Sequence, residues 1–348
     1  MVDNSLSCPV PASNYKTVVM GHGSGGRMSL DLIKQVFLSR FANPYLDALN
    51  DQAVMEMAGG RLALTTDSYV VSPIFFPGGD IGRLAVNGTI NDLAMGGAQP
   101  LFLSLACILE EGFPMADLER IATSVQQACA EAGVQLVTGD TKVVERGKAD
   151  GVFLTTSGVG LVGPGVELGS RLVRPGDRVI LSGAIGEHGI TILSVREGLE
   201  FETHLESDTA PLHRLVAEML AVGGRLHALR DPTRGGLASA VNEIAQASGT
   251  GIVLDEDTIS VPGAVAAACE LLGLDPLYVA NEGKLVAFVA PEDAERILAA
   301  MRRRPEGREA AIIGRVVDEH PGLVVMRTRL GSTRVVDLLP GDQLPRIC

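Results

Sequence analysis

Tryptophan is absent from this sequence, and aromatic residues make up only 4% of it. Proteins that hold single-stranded nucleic acid stack bases on aromatic side chains, and little material for such a platform is present. Positive charge is scarce too. Lys and Arg number 29 against 42 Asp and Glu, a formal net charge of −13. Without a basic footprint, no nucleic-acid partner is expected. A phosphate ligand remains compatible with this acidity if carboxylates hold divalent cations between chain and ligand. Cysteine is sparse and odd in number: Cys8, Cys107, Cys129, Cys269 and Cys348. No Cys-x-x-Cys occurs, which argues against a zinc site and against a disulfide framework. A reducing, cytoplasmic location is therefore expected. The first residues, MVDNSLSCPVPASNYK, lack the basic and then apolar regions of a signal peptide, and no apolar run reaches membrane-spanning length. No membrane partner is expected.

What is present is a globular composition, 46% hydrophobic and 20% charged over 348 residues, enough for two domains with cores of Val, Ile, Leu and Ala. Residues 1–16 read as a loose N-terminal arm. Strand-like TVVM at 17–20 enters the Gly-rich GHGSGG, and a helical pattern follows from Met28 to Phe41. RLALTT at 61–66 reads as a strand ending at Asp67. Asp80 is placed to cap a helix through IGRLAVNGTINDLAMGG. A strand in PLFLSLACIL, a helix from Met115 to Ala132, a short strand ending at Asp140 and a strand within 151–163 complete a first domain, 17–165. The VRPGD turn marks the boundary near residue 166. The second domain, 166–338, is expected to hold helices at 187–198, 208–221, 234–248, 262–272 and 291–303. Its strands are expected at 251–254, 277–280, 284–289, 311–317, 322–328 and 333–338. Strands and helices alternate without a strict βαβ rhythm, so the class is α+β. The end, 339–348, contains two prolines and no periodicity and is expected to be extended and mobile.

The chemistry-bearing positions fall between these elements. Gly21, Gly23 and Gly26 match G-x-G-x-x-G between a strand and a helix, with Gly25 adding a further free backbone amide. No acid ends a second strand at the distance a dinucleotide fold needs, and Arg27 and Met28 stand where a P-loop carries Lys and Ser or Thr. The loop therefore reads more broadly, as backbone N–H groups able to wrap an anion. Asp51, Asp67, Asp92, Asp140 and Glu282 recur at strand ends and helix turns, in NDQAV, TTDS, NDLA, TGDTK and ANEGK. Each alone is compatible with a cap or turn. As a set of hard oxygen donors they suit ATP held through Mg²⁺. Lys142 follows Asp140 by two residues and can meet phosphate or, if desolvated, act as a base. In DPTRGGL, Asp231 and Thr233 can cap a helix, while Gly235 and Gly236 allow close backbone approach. His188 in GEHGI reads as a structural or surface histidine. Cys348, the last residue, is a thiol on a Pro-containing end and is suited to carry a group as a thioester-like adduct. The adjoining α-carboxylate raises its thiol pKa, which favours a carrier over a fast free nucleophile.

GHGSGG, TTDS, NDLAMGG, GDTKVV, DPTRGGL, NEGK and a terminal PRIC occur together and in order. In this combination the sequence resembles the HypE family of hydrogenase maturation proteins, within the PurM-like (aminoimidazole ribonucleotide synthetase-related) ATP-binding superfamily. The glycine motifs are shared with selenophosphate synthetases and thiamine-monophosphate kinases; the terminal PRIC, Pro345–Cys348, is the discriminating piece. The resemblance implies a two-domain architecture whose N-terminal domains pair into a barrel shared by a homodimer, with ATP bound near the interface. It implies ATP-dependent dehydration of an S-carbamoylated Cys348 to a thiocyanate, which supplies cyanide ligands to the iron of [NiFe]-hydrogenase. The implied partners are a HypF-type carbamoyltransferase and a HypC–HypD-type iron-carrying complex. With strand-end context, it assigns Asp51, Asp67, Asp92 and Asp140 to metal and phosphate. It assigns Gly21–Gly26, with Asp231, Gly235 and Gly236, to ATP, and Lys142 and Glu282 to the modified end, one of them as the base. Two other classes stay open on the residues alone: a small-molecule kinase or synthetase of the same superfamily, and a non-enzymatic scaffold that docks a partner through its tail.

Overall fold

The computed structural model describes residues 26–32, 34, 47, 49–50, 53–57, 60–199, 205–339, 344 and 346–348. The arm, the strand expected at 17–20, Gly21, Gly23, Gly25 and Asp51 lie outside them. Of the helix expected from Met28, Arg27–Leu32 is helical (α1) and most of the rest is likewise outside.

The first unit is a five-stranded sheet in the order β1-β2-β7-β5-β6. Its strands are β1 (Ala53–Met57), β2 (Gly60–Tyr69), β5 (Ala98–Glu110), β6 (Gln135–Val144) and β7 (Val152–Val162). All neighbours are antiparallel except β5 and β6. A small hairpin, β3 (Phe75–Phe76) with β4 (Gly79–Asp80), leads into helix α2 (Ile81–Met95). Asp80 caps it, accepting from the N–H groups of Gly82 at 2.7 Å and Arg83 at 3.1 Å. Nearly every side of α2 is buried, as suits a helix wedged between a sheet and a second domain. Helix α3 (Met115–Ala132) packs beside it, and Gly133 ends α3 in the left-handed conformation.

Period-two alternation along β2 turns Ala63, Thr65 and Tyr69 toward these helices and Leu64, Thr66 and Ser68 away from them. Registers carry this division across the sheet. The opposite face, free of helices among the described residues, shows Leu64, Leu161, Phe102 and Ile108, each more than 40% exposed. Asp140 and Lys142 share that face, in register with Ala106 and Ile108 of β5. The expected strand ends at Asp67 and Asp140 are therefore corrected, since β2 and β6 run on through both residues. Strand pairing is made by main-chain groups, so a polar side chain on an open face does not end it.

The second unit is a seven-stranded mixed sheet in the order β14-β13-β10-β12-β8-β11-β9. It comprises β8 (Arg178–Leu181), β9 (Leu226–Arg230), β10 (Gly251–Asp255), β11 (Val286–Val289), β12 (Ala311–Val317), β13 (Val324–Arg327) and β14 (Thr333–Val336). The strand expected at 277–280 is instead a 3-10 turn, Pro276–Tyr278, which Asp275 caps by accepting from Leu277 N–H; Pro276 favours that turn because its φ is preset. Helix α6 (Gly236–Ser248) covers one face with Leu237, Val241 and Ile244. Helices α5 (His213–Ala221) and α8 (Ala294–Met301) cover the other, in a cluster that also takes in Ala94 and Met95 of α2. Helices α4 (Glu187–Glu197) and α7 (Gly263–Leu272) contribute Ile190, Ile192, Val265 and Ala268 to the core of the first unit. One continuous apolar contact thus joins the two sheets and fixes the cleft between them. Among the described residues no helix is long and apolar enough to cross a membrane.

Candidate functional site

At the junction of the units lies a cavity of about 200 Å³. Asp67 enters it from β2, Asp92 from α2, Asp231 and Arg234 from the turn between β9 and α6, and Glu282 from the segment before β11. Cys348 enters from the chain's end. Five positions singled out in the sequence, Asp67, Asp92, Asp231, Glu282 and Cys348, therefore converge, although they are spread over some 280 residues.

Local structure explains each placement. Thr65 Oγ1 donates to Asp92 Oδ2 at 2.7 Å, tying β2 to α2 and aiming the carboxylate along the cleft. Gly88 faces Tyr69, whose hydroxyl would lie 2.3 Å from any Cβ there, so α2 packs close to the strand only with glycine at that turn. Glu282 is held through its backbone: its N–H donates to Asp208 Oδ1 at 3.0 Å, and its carbonyl accepts from Asn91 Nδ2 at 3.3 Å. Asp208 is itself ion-paired with Lys284 at 3.1 Å. Burial pulls the Lys284 pKa down, but Asp208 and Glu187 outweigh it, and the ammonium keeps its proton.

The Glu282 carboxyl is in a different situation. It is 3% exposed, and its Oε1 has no hydrogen-bond partner. Burial, then the neighbouring Asp208, Asp231 and Asp67, push its pKa well above the ordinary carboxylate range, with Arg234 opposing. These surroundings favour the protonated form of Glu282 over its carboxylate. Tyr69 is likewise raised, first by burial and then by Asp67 and Asp92. Arg234 is the counterweight: charge at Cys348 raises its pKa, burial lowers it, and Asp67 and Glu282 add to the rise. Its side chain keeps accessible surface inside the recess although protein surrounds it.

Asp140 and Lys142 do not join this set. They form an exposed ion pair at 2.9 Å on β6, with side chains 61% and 70% accessible. The Lys142 hydrogen bond and the Thr141 N–H lower the Asp140 pKa. Among the described residues no cluster of three or more His, Cys, Asp or Glu is arranged to hold a metal. Asp67 and Asp92 nevertheless face one cavity, and one or two carboxylates suffice for a Mg²⁺ that also takes waters and phosphate oxygens.

Gly235 and Gly236 both have positive φ, +75° and +62°. The sequence reads them as room for a ligand; for Gly236 the nearer constraint is protein backbone. A Cβ there would meet Leu277 O at 2.5 Å and Val279 O at 2.7 Å. Gly236→Ala is expected to cost about 2 kcal/mol or more of stability, seen as a lowered chemical-denaturation midpoint. Gly26, the described part of the Gly-rich loop, is buried and accepts from Leu30 N–H at the start of α1. A second cavity of about 530 Å³ adjoins the first, sharing Asp231, Thr233 and Arg234. Leu30, Lys34, Leu49 and Asn50, which flank the Gly-rich loop and Asp51, line it.

The end of the chain is docked, in contrast to the mobile tail expected. Val70 N–H donates to Cys348 O at 3.0 Å and Ser72 N–H to Arg346 O at 3.1 Å, a short antiparallel pairing. Leu344 and Ile347 are 8% and 5% exposed and join the core. Apolar residues spaced three apart supply an anchor that prolines and the lack of periodicity obscure in the sequence. Arg234 went without a role in the sequence reading, although it stands inside DPTRGGL; a cation within a motif otherwise made of caps and glycines was the available signal. Tyr69, two residues beyond Asp67 on the same strand face, was legible only once β2 was known to continue.

Comparison with known proteins identifies the family. The N-terminal domain model of AIR synthase related proteins matches residues 49–162 and the C-terminal domain model matches 174–326. A carbamoyl dehydratase HypE from Cupriavidus necator is 60% identical over 330 residues, 94% of each chain. A crystal structure of a HypE–HypF complex superposes with a TM-score of 0.85 at 47% identity, covering 88% of this chain and 99% of that one. A HypE structure in complex with ATP superposes at 0.81 with 49% identity, covering 95% and 100%. With its two AIR synthase related domains and its identity to curated relatives over nearly the whole length, this chain belongs to the HypE family of carbamoyl dehydratases that act in hydrogenase maturation.

Proposed function

We propose that the chain uses ATP to dehydrate a carbamoyl group carried on Cys348 sulfur, leaving a thiocyanate whose cyanide goes to hydrogenase iron. The observation that carries this reading is the shared cavity: the Cys348 end shares it with Arg234 and with the buried acid Glu282, whose Oε1 has no hydrogen-bond partner. Phosphoryl transfer from ATP to the thiocarboxamide oxygen forms a new O–P bond and releases ADP. Loss of both N–H protons and of that oxygen as phosphate then leaves S–C≡N. Such transfer rests on positioning and charge neutralisation. Arg234 neutralises charge beside the sulfur end. Glu282, once ionised, is a strong proton acceptor because the site disfavours its charge. Asp67 and Asp92 would hold Mg²⁺, which would neutralise phosphate charge. On this reading the triphosphate takes the acidic cavity and the nucleoside the larger one, which Gly236 lines; Gly21–Gly26, Asp51 and Gly235 are assigned to ATP by their motifs alone. The ATP complex of the relative supports nucleotide binding.

Asp140 and Lys142 take part from a second copy. The helix-free sheet face that bears them also bears exposed Leu64, Phe102, Ile108 and Leu161, an apolar surface suited to pairing two chains into a barrel. In the cytoplasm, a HypF-type protein loads the thiol, as the relative's HypF complex supports, and a HypC–HypD-type complex receives the cyanide. The test is the mass of the C-terminal peptide after carbamoylation. Added ATP and Mg²⁺ should remove one water; ATP hydrolysis without that loss overturns the dehydratase reading in favour of a kinase. Asp67→Ala is expected to weaken Mg²⁺-dependent ATP binding by about 1–3 kcal/mol. An unchanged calorimetric titration would show the nucleotide to be elsewhere.

A further inference from the structure

We infer that helix α4 is the receptor for the tail, and that His188 is the positioning residue that sets where Cys348 stands. The inference rests on the reading that Cys348 carries the reacting group, and it concerns how the carrier is held.

His188 is fully buried in the first turn of α4. Its Nε2 lies 2.6 Å from the Ile347 carbonyl oxygen and its Nδ1 lies 2.7 Å from Ser207 Oγ. A carbonyl only accepts, so Nε2 carries the hydrogen and Nδ1 must accept from the Ser207 hydroxyl. Ser207 Oγ in turn accepts from Thr209 N–H at 3.2 Å. The chain of donors has one consistent direction and a neutral ring. Phe76 packs edge-on against that ring, with centroids 5.6 Å apart, and stops it from turning. At the next position a Cβ would stand 2.6 Å from Val279 Cγ1 and 3.3 Å from Leu344 Cδ1. Gly189 thus gives the tail's Leu344 its seat.

A second clasp lies further along the helix. Arg196 follows His188 by eight residues, two steps of four along the same face. Its Nη2 donates to Arg346 O at 2.8 Å and to Ser72 O at 2.7 Å, bridging the tail to the segment it pairs with. Both clasps grip main-chain carbonyls. Neither clasp is made to the side chain of Cys348, which lines the cavity. A grip on main-chain carbonyls leaves recognition of the tail to its side chains: Leu344 and Ile347 in their apolar seats, and Arg346, whose Nε donates to Val70 O at 3.0 Å and whose guanidinium pairs with Asp150.

The test follows alkylation of Cys348 by iodoacetamide in the full chain without ATP, read as modified C-terminal peptide. Asn at 188 reproduces the Nδ1 position and keeps the Ser207 bond but falls short of Ile347; Gln reaches the Nε2 position and keeps the bond to Ile347. His188→Asn is expected to alkylate about tenfold faster than the parent, and His188→Gln within about twofold. Parental labelling of His188→Asn overturns the proposal. Equal acceleration in both variants also overturns it, because it would mean that the ring only fills space. If His188→Asn does not fold, Arg196→Gln at the half-buried end decides: faster labelling supports the receptor and a parental rate sinks it. None of these readings depends on dehydration, so the proposed function stands or falls separately.

Discussion

Cys348→Ala is expected to yield a folded, ATP-binding protein that forms no thiocyanate at all. The carrier sulfur is gone, and no other cysteine among the described residues is suited to replace it: Cys129 and Cys269 are buried in the core, where burial raises their thiol pKa, and half-buried Cys107 is raised for the same reason. Fold and docking should survive, since the tail is held by the carbonyls of residues 346 and 347 and by the side chains of Leu344 and Ile347. The thermal midpoint should stay near the parent's, the loss being within about 0.5 kcal/mol. The check pairs a melting curve with maturation activity. Maturation by the variant would show that the group travels on another atom.

Glu282→Gln should separate chemistry from stability in opposite directions. Glutamine keeps the shape and the backbone hydrogen bonds but cannot take a proton, so conversion of carbamoylated protein is expected to slow about 100-fold or more. ATP binding should persist, because Asp67 and Asp92 remain. In the parent, the proton favoured by burial makes its full stability contribution below the ordinary carboxylate pKa. That contribution declines as pH rises through the higher folded value. Glutamine has no such proton to lose. The variant's melting temperature should therefore gain on the parent's with rising pH and converge with it in acid. A parental conversion rate would assign the proton elsewhere, with Lys142 of a second copy the next candidate.

Much of this site was legible before any coordinates. Asp67, Asp92 and Glu282 announce themselves because each stands beside asparagine, glycine, serine or threonine in a short polar motif, and Asp231 because it opens the Pro- and Gly-containing DPTRGGL turn. The helix Met115–Ala132 was legible to the residue, because Pro114 precedes it and Gly133 ends it. What failed was local reasoning about polarity. TTDS and GDTK look like strand ends, yet β2 and β6 continue through them, since an open sheet face tolerates hydroxyls and charges. The docked tail was hidden for a related reason. Its seats are built by α4 and the 70–72 segment, more than 140 residues away, and a four-residue anchor has no period of its own. His188 looked incidental because the partner that explains it is a backbone oxygen, which leaves no trace in residue identity.

Because the last residues pair with the chain's own segment 70–72, a chain loaded on Cys348 as proposed would already be its own enzyme–substrate complex. Saturation then has no meaning for the carbamoyl group. Conversion is first order in loaded chain, and dilution leaves its rate constant unchanged for as long as every contributing group belongs to the same molecule. A rate constant that falls on dilution would report directly on residues donated by a second copy, with its midpoint at the dissociation constant of the pair. Tethering also confines the reactive intermediate, which has no free form to diffuse away before phosphate departs.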